Sequence, residues 1–296
     1  MRKPAPAEQV DHRAHVWRST IGTMAIIDGR TLEGVSATTL WTLHNRATEA
    51  KRANGVIDDP YAIEVFDSIE YDYLQFGKPN QSHALRALAF DAAMAEYIGA
   101  HPNTAVVALA EGLQTSFWRL QAKGLAEKLR WYSVDLPPVI ALREQLLPHN
   151  DRITHLAQSA LDFSWLDRVD AADGVFITAE GLFMYLEPAD VIALLAACAA
   201  RFPGGQLIFD SIPSWLSRKT LKGWKLSDRY TAPPMPFGIS ADGAIAMATQ
   251  IPGVCSARDV PHVPGRGMFK VFASPTLDRL GLFHRSRPSM TLVSFG

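Results

Sequence analysis

The chain has 296 residues, enough for one large or two small domains, and its 48% hydrophobic and 20% charged residues are those of an ordinary globular protein. A formal net charge of -1 leaves no basic footprint for nucleic acid, and no lysine or arginine run marks a membrane surface. No apolar run approaches the roughly 20 residues of a membrane span, and none follows the basic start Met1-Arg2-Lys3, so a cytoplasmic protein acting on a small molecule or peptide is expected.

Residues 1–20 are polar, carry His12 and His15, and hold no sustained period, which predicts a loose arm. Ser36 is placed to cap a helix with Leu40, Leu43, Ala47 and Ala50 on one face and His44, Asn45, Arg46 and Glu49 on the others. After the break at Asp58-Asp59-Pro60 and the aromatic run Tyr71 to Phe76, a second helix from Ser82 to Ile98 packs through Leu85, Leu88, Ala89, Ala92 and Tyr97. Residues 1–100 therefore read as an arm and a helical cap.

From Thr104 strand and helix alternate, the pattern of a parallel doubly wound α/β sheet. Strands are predicted at 106–109, 131–135, 153–157, 174–178 and 206–210, with helices at 138–147 and from Pro188. A segment at about 212–250, with Trp215, Trp224, Tyr230 and Pro233 to Phe237, is longer than a connection needs and predicts a lid or binding wall. A strand near 254–260, a helical stretch with Phe269, Phe272, Leu277 and Leu280, and a strand at 290–295 complete a core over 101–296. Cys198 and Cys255 are too far apart in sequence for a disulfide framework or a zinc set, so no metal is expected, and Cys198 shares an apolar helical stripe with Val191, Leu194 and Leu195.

The first strand runs into Ala110-Glu111-Gly112 and at once into a helix with Phe117 and Leu120. In an open α/β sheet such a turn holds a nucleotide-like ligand, because backbone approaches closely at glycine and helix N–H groups face the crevice. A second strand follows and ends in Asp135, a carboxylate suited to two ribose hydroxyls. Ala110 and Gln114 leave Gly112 without the dinucleotide glycine fingerprint, which disfavours a nucleotide-dependent oxidoreductase. A nucleoside without phosphates, such as S-adenosylmethionine, suits the turn better.

With Asp135-Leu136-Pro137-Pro138-Val139 and Ala179-Glu180-Gly181-Leu182-Phe183-Met184-Tyr185-Leu186, this turn resembles the leucine carboxyl methyltransferase family. That family includes tetracenomycin-type polyketide O-methyltransferases. The resemblance runs from about Gly34 to the C-terminus and implies a class I S-adenosylmethionine-dependent methyltransferase: a seven-stranded Rossmann-like sheet, parallel except for the last strand, with helices on both faces and an N-terminal helical cap.

It further implies that Arg86 pairs with the cofactor's methionine carboxylate and that Asp135 with Leu136 meets the ribose. Ala110, Glu111 and Gly112 form the cofactor turn, Ser159 and Ala160 lie at the adenine, and Glu180 stands near methionine and acceptor. Relatives carry Gly at the position of Ala110, Ala at Glu111, Asp at Gln114 and an acid at Ser159. Ala110 departs at little cost where φ is negative, and the Glu111 carboxylate is expected beside the cofactor's positive charge or in solvent. Glu180, Tyr185 and His44 are the candidates for catalytic roles, with His83, His155 and His262 the other histidines considered near the site.

The expected reaction moves a methyl group to an acceptor oxygen and leaves S-adenosylhomocysteine. No base is assignable, which favours a carboxylate acceptor on a natural-product or peptide molecule over a phenol of an aromatic polyketide. A homologue that binds S-adenosylmethionine but has lost or changed methyl transfer is the remaining alternative.

Overall fold

The computed structural model describes residues 26–273 and 286–296; the predicted arm, Leu277 and Leu280 lie outside them. Seven strands form one sheet: β3 (Ala105–Leu109), β4 (Arg130–Asp135), β5 (Ile153–Ala157), β6 (Val175–Ala179), β7 (Gln206–Ser211), β10 (Val254–Asp259) and β11 (Ser289–Phe295). Short pairs make two further ladders, β1 (Ile27–Asp28) with β2 (Ile69–Glu70), and β8 (Lys225–Ser227) with β9 (Tyr230–Thr231). The large sheet has the order β10-β11-β7-β6-β3-β4-β5, and β11 alone runs against its neighbours. Every residue of β3 and β6 is buried, as expected of strands covered on both faces. Strand order reverses between β3 and β6, so their carboxyl ends open the crevice in which α/β sheets bind ligands.

The cap consists of α1 (Thr38–Ala50), α2 (Pro60–Asp67) and α3 (Ser82–Ala100). The first helix corrects one expectation and adds a finding. A 3-10 turn over Gly34–Ala37 precedes it and Ala37 is its N-cap, so Ser36 does not cap it. Its polar face is also buried, including His44, Asn45, Arg46 and Glu49, because neighbouring elements enclose it. Leu40, Leu43, Phe90 and Met94 from the cap share one apolar cluster with Val106, Trp131 and Phe176 of the sheet and with Phe117 of the helix after β3.

Asp59 caps α2 by accepting from Ala62 N (3.0 Å), and its carboxylate is fully buried. It meets Arg46 Nε (3.0 Å), Thr115 Oγ1 (2.6 Å) and Arg119 Nη1 (2.7 Å), while Arg119 also grips Asp91 (2.7 Å). Burial opposes charge on Asp59, but the two guanidiniums and these hydrogen bonds hold its pKa below the usual carboxylate range. One ionic hub thus joins all three cap helices to α4 (Ser116–Ala122), which follows the first turn.

Helices α5 (Pro137–Leu146) and α6 (Pro188–Arg201) begin on prolines at the first helical position, where the missing N–H is not needed. The insertion after β7 folds as α7 (Ser214–Leu221), the β8–β9 hairpin, an extended run and α8 (Ala241–Ala248). Near the end, α9 (Met268–Phe272) supplies Phe269 to the crevice. Cys198 is a buried free thiol whose pKa burial pushes up. Among the described residues no helix is long and apolar enough to cross a membrane, and none of their His, Cys, Asp and Glu side chains cluster to hold a metal.

Candidate active site

The carboxyl ends of β3, β4, β6 and β7 border a cavity of about 810 Å³. Small-molecule sites commonly fall between about 300 and 1,000 Å³, so this space accommodates a nucleoside cofactor together with an acceptor. Arg86, Ala110, Glu111, Gly112, Asp135, Leu136, Ser159, Ala160, Glu180 and Tyr185 all line it. Of the sequence-derived candidates, His44 does not.

The turn after β3 is held in an unusual backbone shape. Gly112 has φ +57° and Ala110 φ +48°, so the negative φ at which Ala110 would depart at little cost is not the one it adopts. An L-residue in this region meets its own carbonyl oxygen, at about 1–2 kcal/mol. A Cβ on Gly112 would collide with Thr39 Oγ1, which already accepts from Leu113 N (2.8 Å). Close approach of the cap therefore requires this glycine as much as any ligand does. Arg143 donates to the carbonyls of Gly112 (2.7 Å) and Gln114 (2.9 Å), and Arg46 donates to that of Leu113 (2.6 Å).

Asp135 accepts from Gly112 N and from Leu136 N, both at 2.7 Å. Burial pushes its pKa up, and the two N–H donors with Arg143 oppose that shift. Glu111 lines the cavity but its carboxylate is buried and paired rather than solvent-facing, correcting the alternative that it points to solvent. It turns inward to Arg143 (2.9 Å) and Trp131 Nε1 (3.4 Å). Ser159 Oγ accepts from Leu161 N (3.1 Å), and Asp162 caps the next 3-10 turn through Ser164 N (3.1 Å).

The ends of β6 and β7 carry the main charge cluster. Arg86 donates from Nε to Glu180 Oε1 (3.0 Å) and from Nη1 to Asp210 Oδ2 (2.8 Å). Burial disfavours its charge, but Asp210 and Glu180 outweigh that and raise its pKa. Gln114 donates to both oxygens of Glu180 (2.7 and 2.8 Å), and Asp210 Oδ1 accepts from Gly181 N (2.6 Å). Two carboxylates around one guanidinium leave this cluster with a net negative charge. It fits a ligand bearing an ammonium and a sulfonium beside a carboxylate, as S-adenosylmethionine does. Asp210 is missing from the sequence-derived set, although it ends an apolar strand just as Asp135 does.

His44 belongs to the aromatic core of the cap. Its ring stacks on Phe66 and Tyr73 at centroid separations of 5.7 and 5.3 Å, and neither ring nitrogen has a hydrogen-bond partner. It is thus removed from the catalytic candidates, because the buried polar face of α1 points into the cap. His155 bonds Glu144 away from the cavity (3.1 Å), whereas His83 and His262 do line the cavity. Tyr185 lies in the wall, and burial pushes its phenol above the ordinary range. Beyond it the lining is apolar: Trp41, Ile212, Leu216, Trp224, Leu226 and Met235, the last five from β7's end and the insertion.

The family model for leucine carboxyl methyltransferases matches residues 39–199. The tetracenomycin polyketide synthesis O-methyltransferase TcmP of Streptomyces glaucescens is 30% identical over 226 residues, covering 75% of this chain and 81% of that one. The S-adenosyl-L-methionine-dependent methyltransferase dpfgK of Gibberella zeae is 27% identical over 202 residues, covering 61% and 67%. Among solved structures, a protein assigned as a methyltransferase from Thermobifida fusca superposes with a TM-score of 0.52 at 16% identity, over 85% of this chain and 94% of that one.

Proposed function

The chain belongs to the leucine carboxyl methyltransferase family and is an S-adenosylmethionine-dependent methyltransferase, and on that premise we propose that it methylates a carboxylate oxygen of an apolar, aromatic small molecule. The observation that carries this reading is the divided lining of one cavity, with an ion-paired floor at Arg86, Glu180 and Asp210 and an apolar wall from Trp41 to Met235. The tetracenomycin relative's role as an O-methyltransferase in polyketide synthesis supports an oxygen acceptor of this kind.

In this assignment Arg86 and Glu180 take the cofactor's amino-acid end, and Asp135 with Leu136 its ribose. Ala110 and Gly112 give it bare backbone, and Ser159 and Ala160 border its base. Glu111 contributes through Arg143 to the stiffness of the turn rather than through contact. The bound cofactor supplies an electrophilic methyl group on a positively charged sulfur. The protein aligns that group with the acceptor, excludes water through the apolar insertion, and stabilises positive charge through Glu180 and Asp210.

A carboxylic acid, with a pKa near about 4, is ionised at neutral pH, whereas a phenol near about 10 must lose its proton. Tyr185 is a poor base for that task because burial disfavours its anion. The test offers purified protein labelled S-adenosylmethionine with naphthoic acid or naphthol. Label in a base-labile ester supports the reading. Label only in naphthol ether, at a rate that climbs as a single group ionises, overturns it.

A further inference from the structure

His83 stands one turn before Arg86 on α3 and lines the same cavity. Its ring meets the edge of Trp41 at a centroid separation of 5.2 Å and 72°. Nδ1 is buried without a hydrogen-bond partner, which leaves Nε2 as the ring nitrogen on the cavity side. Burial, with the guanidiniums of Arg86 and of Arg46 on α1, holds its pKa well below the ordinary histidine range. A neutral imidazole has one N–H to give. Among the described residues, the arginines lining the cavity are already matched by carboxylates: Arg86 by Glu180 and Asp210, and Arg287 by Asp259. A guanidinium gripping the acceptor would blunt its nucleophilic oxygen, while a neutral donor orients the carboxylate at smaller loss.

We infer that His83 is the acceptor-orienting residue: Nε2–H donates to one oxygen of an aromatic carboxylate whose other oxygen takes the methyl, with Trp41 flanking the acceptor ring. This rests on the carboxylate reading above. The free oxygen forms the O–C bond as the C–S bond breaks, the bonding pair leaves on sulfur, and no proton moves.

The probe is a hydroxynaphthoic acid, which offers a carboxylate and a phenol on one ring system. Wild-type protein forms the methyl ester, with kcat flat between about pH 6 and 9 because no group there must titrate. His83→Leu raises the KM for this acid by about ten- to hundredfold, as expected for a lost hydrogen bond to a charged group. The Kd for S-adenosylmethionine, measured by calorimetry, stays at the wild-type value, and His83→Gln restores most of the KM. An unchanged KM in His83→Leu overturns the role of His83 while leaving ester formation standing. A weakened cofactor Kd overturns it by moving His83 to the donor side. A methyl ether product, or no turnover of this acid, overturns both the role and the reading beneath it.

Discussion

Replacing His44 by phenylalanine separates a structural histidine from a catalytic one. The ring sits 6% exposed between Phe66 and Tyr73, and desolvation holds its pKa below the ordinary histidine value. The unfolded chain has no such restraint, so below the unfolded value it binds a proton that the folded chain refuses. Stability then falls as pH drops through the ordinary histidine range. The slope cannot exceed about 1.4 kcal/mol per pH unit for one proton. Partial solvent screening narrows the interval over which it acts, so the total is of order 1 kcal/mol or less. Phenylalanine keeps the stack and removes the titration. Urea unfolding at about pH 7.5 and 5.5 is expected to show a smaller acid loss for His44→Phe than for wild type, with methyl transfer at neutral pH unchanged. An equal acid loss refutes the linkage. Lost transfer with intact cofactor binding returns His44 to the reaction.

Two further substitutions test the frame around the site. Ala110→Gly relieves the left-handed strain but loosens the unfolded chain, effects of about 1–2 and 0.4–1 kcal/mol, so a small gain in urea midpoint at constant m-value is expected. Ala110→Val, with a branched side chain at φ +48°, is expected to lose stability clearly in the same assay. Asp59→Ala strands Arg46 and Arg119 in the interior, and the cost of breaking such a buried pair is about 3–5 kcal/mol. Because the folded pKa of Asp59 is depressed, its contribution is present above the unfolded carboxylate value and is lost as pH falls through the folded one. The wild-type advantage over Asp59→Ala in chemical denaturation should therefore shrink in strong acid.

All seven strands of the main sheet are legible in the sequence: the central ones, such as β3 and β6, are short apolar runs bounded by turn residues and buried on both faces, and the edge strands β5 and β10, partly exposed, are legible by their place in the alternation. Asp135 and Glu180 are legible for the same reason, as acids that end such runs. Leu207-Ile208-Phe209-Asp210 carries the identical signal, so the acid that shares Arg86 with Glu180 could have been read by the same rule. The polar face of α1 was illegible in principle. Helical periodicity separates apolar from polar positions, but it does not say whether the polar side meets water, and here it meets Asp59, Phe66 and Tyr73. Glu111 failed similarly, since it stands in the turn after β3 while its partner Arg143 lies on α5, and only the folded chain brings them together.

The contacts of Thr39 and Arg46 with the turn after β3 join two equilibria. A ligand seated on that turn favours the cap in its docked position, and by reciprocity a docked cap favours the ligand. Substitutions in Thr38–Ala50 that touch no ligand should therefore surface in titrations as altered cofactor affinity. Occupancy of the turn should in return slow amide exchange along that helix.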